Sequence, residues 1–199
     1  NAEALSMAIA LAKKIDADIV MASDPDADRV GMACKDDKGE WVLINGNQTC
    51  LIFLYYIIKN RIAMGKMQPN DFIVKTIVTT EMARKVAEAN GVTCCDTFTG
   101  FKFMAEKKNQ LESQGLGHVI MSYEESYGYM LGDYVRDKDA VTASLILTEM
   151  AAWYAVQGMT LFDALEALYR KYGFYGEKTH NLVMPGLDGL EKMAALMKS

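Results

Sequence analysis

Along the first fifteen residues, apolar side chains recur at helical spacing. Ala4, Leu5, Ala8, Ile9, Leu11 and Ala12 fall on one face, which predicts an amphipathic helix over residues 2–15. The period then changes. Residues 18–23 form a short apolar run that reads as a buried strand, and the acidic stretch DPDADR at residues 24–29 follows it. Residues 30–34 and 41–44 read as two more strands, joined at 36–39 by a DDKG turn whose chemistry suits a hairpin. The polar triplet Asn45, Gly46, Asn47 breaks the pattern before a long apolar helix over residues 49–63, with Gly65 as its stop.

Beyond that helix, strands and helices alternate. Residues 72–78, 92–95 and 118–123 read as strands, and 81–90, 102–113, 140–156 and 161–172 as helices. Residues 179–184 look extended and 187–198 helical. The expected fold class is α/β: a layered αβα domain with a largely parallel sheet, plus part of a neighbouring α/β domain. Breaks in the pattern at residues 45–47 and 172–176 divide the chain into residues 1–41, 42–172 and 173–199. The chain opens inside a helical pattern with no initiating Met, and so reads as a piece of something longer.

In open parallel sheets, ligands bind beyond the carboxyl ends of the strands. Three polar clusters follow predicted strands here: residues 24–29, 97–102 and 124–128. Their shared placement predicts one functional face.

Composition narrows the classes of partner. Hydrophobic residues make up 51% of the 199 residues and charged ones 24%, enough apolar mass for a packed core. The net charge of -5 argues against a nucleic-acid-binding surface. The apolar run at residues 50–58 ends at Lys59, well short of the ~20 residues a membrane span needs. The four cysteines, Cys34, Cys50, Cys94 and Cys95, lack metal-site spacing and read as reduced thiols of a cytoplasmic protein. His118 and His180 have no partner at metal or triad spacing and read as structural; the methionines, Trp41 and Trp153 read as packing.

The acidic stretch has its own chemistry. Asp24, Asp26 and Asp28 alternate with Pro25 and Ala27, so in an extended loop their carboxylates point to one side and repel one another. A hard divalent cation removes the conflict, and all-oxygen ligation suits Mg²⁺. Arg29 is placed to bind a phosphate oxygen. A solvated acidic turn is the plainer reading of the same residues. An EF-hand is a poor alternative, because Arg29 and Lys35 stand where that loop needs Gly and Glu. A haloacid-type phosphatase fits poorly, because Asp28 stands where its motif has Thr or Val.

Four segments carry a resemblance. DPDADR at 24–29 resembles the metal loop of the α-D-phosphohexomutases, the phosphoglucomutase/phosphomannomutase family, whose usual forms are DGDGDR and DPDADR. TFTGFK at 97–102 resembles the family's TPTGFK loop, EESYG at 124–128 its sugar-recognition loop, and RDKDA at 136–140 the segment that leads into a long helix. Family enzymes have four domains around one cleft. The resemblance assigns residues 1–41 to the end of the second domain, 42–172 to the third, and 173–199 to the lead-in to the fourth. The chain has neither a TASHNP-like phosphoserine segment nor an RxSGTEP-like phosphate loop, and Tyr123 stands where many members have Gly.

The resemblance implies a reaction. A phosphoserine outside this chain would exchange phosphoryl groups with hexose 1-phosphate and hexose 6-phosphate through a bisphosphorylated sugar, with glucose the favoured hexose. Mannose or pentose phosphates, or a non-catalytic Mg²⁺ and sugar-phosphate binding module, are the alternatives. Asp24, Asp26 and Asp28 would hold Mg²⁺. Arg29 and Lys138 would steady phosphate charge or assist proton transfer. Glu124 and Ser126 would bond sugar hydroxyls, Gly128 would permit a tight backbone, and Gly100, Phe101 and Lys102 would complete the substrate site. The expected partners are a sugar phosphate and the remaining domains of the same chain. Two plainer readings stand beside these: Glu124 and Glu125 as a surface pair, and Thr99 as an ordinary N-cap of the next helix.

Overall fold

The computed structural model describes residues 2–132, 134–178 and 183–198. The predicted first helix is α1 (Ala2–Ile15), and it packs Leu5 and Ala12 against Val20 and Ala33 of a three-stranded sheet. That sheet is formed by β1 (Ile19–Ser23), β2 (Val30–Lys35) and β3 (Trp41–Ile44) in the order β1-β2-β3. Both of its pairings are antiparallel. The acidic loop therefore joins two antiparallel neighbours, and the carboxyl-end rule for parallel sheets does not place it. A six-residue connection can return the chain only to an antiparallel strand, since a parallel one needs a crossover of a dozen or more residues.

α2 (Gly46–Ala63) starts earlier than the apolar pattern indicates. The break at 45–47 is the start of that helix, closed by a capping box between Asn45 and Gln48. The Asn45 side chain accepts from the Gln48 amide, and the Gln48 side chain accepts from that of Asn45. Residues on every side of α2 are buried, among them Cys50, Leu51, Ile52, Phe53, Leu54 and Tyr56, which makes it the central helix of the molecule.

The second sheet has the order β5-β4-β6-β7, from β4 (Asp71–Thr76), β5 (Thr93–Thr97), β6 (His118–Tyr123) and β7 (Tyr129–Met130). β4 pairs in parallel with β5 and with β6, as expected, while β7 runs antiparallel to β6. With two residues, β7 is too short to show a period. Successive β4 side chains enter different cores: Ile73 joins α2 and α3 (Glu81–Glu88) on one face, and Val74 joins Phe101, Met104 and Leu111 of α4 (Phe101–Ser113) on the other. These are the αβα layers. α5 (Ala140–Val156) and α6 (Leu161–Tyr172) close the large core from outside, and α7 (Leu187–Leu196) ends the chain. The large core also takes in Val30, Met32 and Ile44, so the two sheets share one apolar interior.

Two expectations need correction, and a third falls outside what the structure describes. β4 ends at Thr76, and Ile77 and Val78 are exposed turn residues rather than strand. Thr99 does not cap α4: Gly100, at φ 114°, is the N-cap and makes no side-chain bond. The extended stretch expected at 179–184 falls largely outside the described residues, as does His180. Both tryptophans pack, Trp41 against the α1 cluster and Trp153 edge-on to Tyr56.

Candidate functional site

The acidic loop shapes itself. The Asp24 carboxylate accepts from the backbone amides of Asp28 (3.2 Å) and Arg29 (3.0 Å), and the Ala27 amide donates to the Asp24 carbonyl (3.1 Å). Ala27 sits in the left-handed region at φ 56°. That conformation is uncommon outside glycine, which accounts for the second glycine of the DGDGDR form of the motif. The Arg29 amide above all, with those of its neighbours, holds the Asp24 carboxyl below its usual range. Asp24, Asp26 and Asp28 each offer a carboxylate oxygen, and these oxygens lie within 4.8 Å of one another. Oδ1 of Asp28 is buried without a hydrogen-bond partner, the Arg29 Nε standing 3.6 Å away. Three converging hard oxygen donors and one unsatisfied buried carboxylate oxygen fit a divalent cation such as Mg²⁺.

The loop at 124–128 is a tight return from β6. The Glu124 amide donates to the Gly128 carbonyl at 2.9 Å, and Tyr127 adopts φ 69°. Glu124 is nearly buried, and its carboxylate accepts from the Gly100 amide (3.0 Å) and from the Ser126 hydroxyl (3.2 Å). Glu124 and Ser126 are thus brought together, and Gly100 of the TFTGFK segment joins them. Gly128 permits a close approach: a Cβ there would lie 2.2 Å from Cδ of Lys138 and 3.4 Å from the Phe101 ring.

The backbone joins the two loops directly. Arg29 and Gly128 form an antiparallel bridge, the Val30 amide donates to the Tyr127 carbonyl (3.2 Å), and the Ala140 amide donates to the Ala27 carbonyl (3.0 Å). Lys138 reinforces the seam. Its ammonium lies 3.1 Å from Asp28, 3.2 Å from Asp137 and 5.0 Å above the Phe101 ring. Burial opposes that charge, but the hydrogen bonds to Asp28 and Asp137 outweigh it and hold Lys138 above the ordinary lysine range. Asp139 caps α5 through the amides of Val141 and Thr142. Of the expected site residues, Phe101 is buried beneath Lys138, and Lys102 is exposed with its ammonium 4.8 Å over the Phe103 ring.

The phosphoglucomutase/phosphomannomutase alpha/beta/alpha domain III model matches residues 45–172, and the domain II model matches residues 1–39. The chain belongs to the phosphoglucomutase/phosphomannomutase family. A phosphoglucomutase from Staphylococcus aureus (strain bovine RF122 / ET3-1) is 35% identical over 194 residues, covering 98% of this chain and 34% of that protein. The chain thus spans about a third of the length of the curated relatives it matches. Among solved structures, a phosphoglucomutase/phosphomannomutase family protein from Burkholderia thailandensis superposes with TM-score 0.63 at 21% identity, over 84% of this chain and 32% of that one. Aspergillus fumigatus N-acetylphosphoglucosamine mutase, solved with GlcNAc-6P and magnesium, superposes with TM-score 0.55 at 14% identity, over 78% and 33%. At such identity the likeness to both structures is one of fold.

Sequence reasoning missed a fourth polar cluster, at the end of β4. Thr76 and Thr79, both buried, place their hydroxyls 3.1 Å and 3.4 Å from the Glu125 carboxylate. Beside them, Lys75 is fully buried and pairs with Glu81 (2.7 Å) and Asp96 (3.0 Å). The same strand-end rule used for the other clusters finds this one once β4 is closed at Thr76 rather than at Val78.

Proposed function

We propose that this chain supplies the metal loop and the sugar-recognition loop of a phosphohexomutase that interconverts hexose 1-phosphate and hexose 6-phosphate, with glucose as the hexose. The observation that carries the reading is the seam: the carboxylate cluster at 24–28 and the loop at 124–128 share a backbone bridge and the Lys138–Asp28 ion pair. A cation site and a hydroxyl-binding loop fixed side by side are what transfer of a phosphoryl group onto a sugar hydroxyl requires, because that chemistry depends on positioning and charge neutralisation.

In this proposal Asp24, Asp26 and Asp28 hold Mg²⁺, which when bound supplies Lewis-acid stabilisation of phosphoryl charge. Arg29 and Lys138 steady phosphate charge at the seam. Glu124 and Ser126 bind sugar hydroxyls, while Gly100, Phe101 and Lys102 form the adjoining wall. The phosphoserine and the remaining domains lie elsewhere in the full-length chain. The domain limits are 1–41, 42–172 and 173–199. The proposed setting is the cytoplasm, consistent with four free cysteines and with no helix among the described residues long and apolar enough to cross a membrane.

The test is a substrate panel of glucose, mannose and pentose 1-phosphates on the full-length protein, with and without Mg²⁺. Glucose 1-phosphate should turn over fastest, and chelation should abolish turnover. Residues 1–199 alone should convert none of them. Preference for another sugar would overturn the glucose assignment, and metal-independent turnover would overturn the role of the three aspartates.

A further inference from the structure

The sugar loop contains a second carboxylate, Glu125, which has no part in the reading above. We propose that Glu125 is a positioning residue: through Thr76 and Thr79 it fixes the path of residues 124–128, and so sets the places of Glu124 and Ser126. The inference rests on the sugar-phosphate reading of that loop.

A count of protons supports it. The Thr76 and Thr79 hydroxyls are 2.7 Å apart, and both approach the same Glu125 oxygen, Oε2. Each hydroxyl has one hydrogen. One hydrogen joins the two threonines, and the other goes to Glu125. The shorter distance, 3.1 Å against 3.4 Å, assigns that donor to Thr76. The order Thr79 to Thr76 to Glu125 is then a relay in which each bond strengthens the next. Glu125 is thus tied to groups buried in the protein interior, where a carboxylate left without its donor is costly.

The anchor itself is held from behind. The Lys75 ammonium donates to the carbonyls of Thr76 (3.4 Å) and Thr79 (3.1 Å), while Glu81 and Asp96 neutralise it. The turn that presents the two hydroxyls is therefore fixed at both of its threonines. On another side, the first turn of α2 abuts the loop. A Cβ at Gly46 would stand 1.8 Å from the Glu125 carbonyl oxygen and 3.0 Å from the Tyr127 amide nitrogen, so only glycine admits the loop backbone there. Tyr127 at φ 69° needs such surroundings, because a bulky residue in that region persists only when its neighbours over-determine it.

The experiment uses the full-length protein with glucose 1-phosphate as probe, and reads KM, kcat, Mg²⁺ activation and the melting temperature. Glu125→Ala and Thr76→Val should each raise KM by about tenfold, the factor that ~1.4 kcal/mol produces. The double variant should be no worse than either single one, because both remove the same bond. Thr76→Ser, which keeps the donor, should restore KM, and Glu125→Gln, which keeps an acceptor, should fall between. Mg²⁺ activation should stay unchanged throughout. A raised KM in Glu125→Ala beside a normal KM in a Thr76→Val, Thr79→Val variant, which removes both donors, would overturn the proposal, since Glu125 would then act on substrate directly. Additive effects in the Glu125→Ala, Thr76→Val double variant, or failure of Thr76→Ser to restore KM, would overturn it as well. A wild-type protein that turns over no sugar phosphate would instead overturn the functional reading beneath it.

Discussion

The acidic loop and the proposed sugar loop, residues 124–128, meet at one seam but are built by opposite means. The acidic loop is largely self-sufficient: its first carboxylate accepts from two of its own amides, and Ala27 makes the turn that brings the other aspartates round. The sugar loop borrows almost everything. Glu124 takes the Gly100 amide from the start of α4, Glu125 takes the threonines at the end of β4, and the α2 terminus presses on its backbone at Gly46. A metal loop needs only convergent oxygens, which a short motif can arrange. A loop that distinguishes hydroxyls on a ring needs its side chains held against a rigid scaffold, and that scaffold must come from several elements.

The contrast is most open to attack at the metal loop. Asp26→Asn should lower kcat of the full-length enzyme by ~10²-fold or more, comparable to the loss of an electrostatic transition-state contact. Because Asp26 is exposed, the circular dichroism spectrum and melting temperature should not move. Near-normal turnover at low Mg²⁺ would remove Asp26 from the ligand set.

Next comes the sugar loop itself. Glu124→Gln should cost about 1.5–3 kcal/mol in catalytic efficiency and Ser126→Ala about 1 kcal/mol, the range for charged and neutral hydrogen bonds. Neither should shift the Mg²⁺ activation curve. A large shift in metal affinity with unchanged sugar dependence would reverse the roles given to the two loops.

Gly128→Ala sharpens the comparison at the seam. The added methyl would meet the Lys138 stem at 2.2 Å and push it off Asp28. Overpacking of that kind costs about 1–3 kcal/mol, to be read as a lower melting temperature. Here metal and sugar affinities should weaken together. A change in only one of them would show that the two loops share a boundary without sharing a fate.

The smallest effect is expected at the N-terminus of α2. Asn45→Ala removes the cap and should lower stability by ~1 kcal/mol in denaturant unfolding. Because the same turn carries Gly46, the sugar KM should rise slightly while metal affinity stays constant. An unchanged KM would confine Asn45 to helix stability.

Much of the architecture was legible along the chain. Amphipathic and buried runs located almost every helix and strand, because the burial of one face writes its period into the sequence. The alternation of elements pointed to the layered sheet for the same reason. The convergent carboxylates of DPDADR were legible because the geometry of that loop is made by near neighbours. The limits of elements were harder to read. α2 begins three residues before its apolar run because the Asn45–Gln48 box continues the helix through polar residues, and Gly100 rather than Thr99 ends up as the N-cap because its amide is drawn to Glu124.

Other features could be decided only by the tertiary structure. Hydrophobic periodicity records which face is buried, not against what, so it could not say that the two sheets share one core. Nor could it place Lys138 on Asp28, Gly100 under Glu124, or Thr76 under Glu125 across 49 residues of sequence. A polar side chain leaves no period in the sequence, and its hydrogen-bond partner is fixed only when packing brings distant segments together. The geometry of the acidic loop was thus written locally, while the support of the loop at 124–128 was written in the fold.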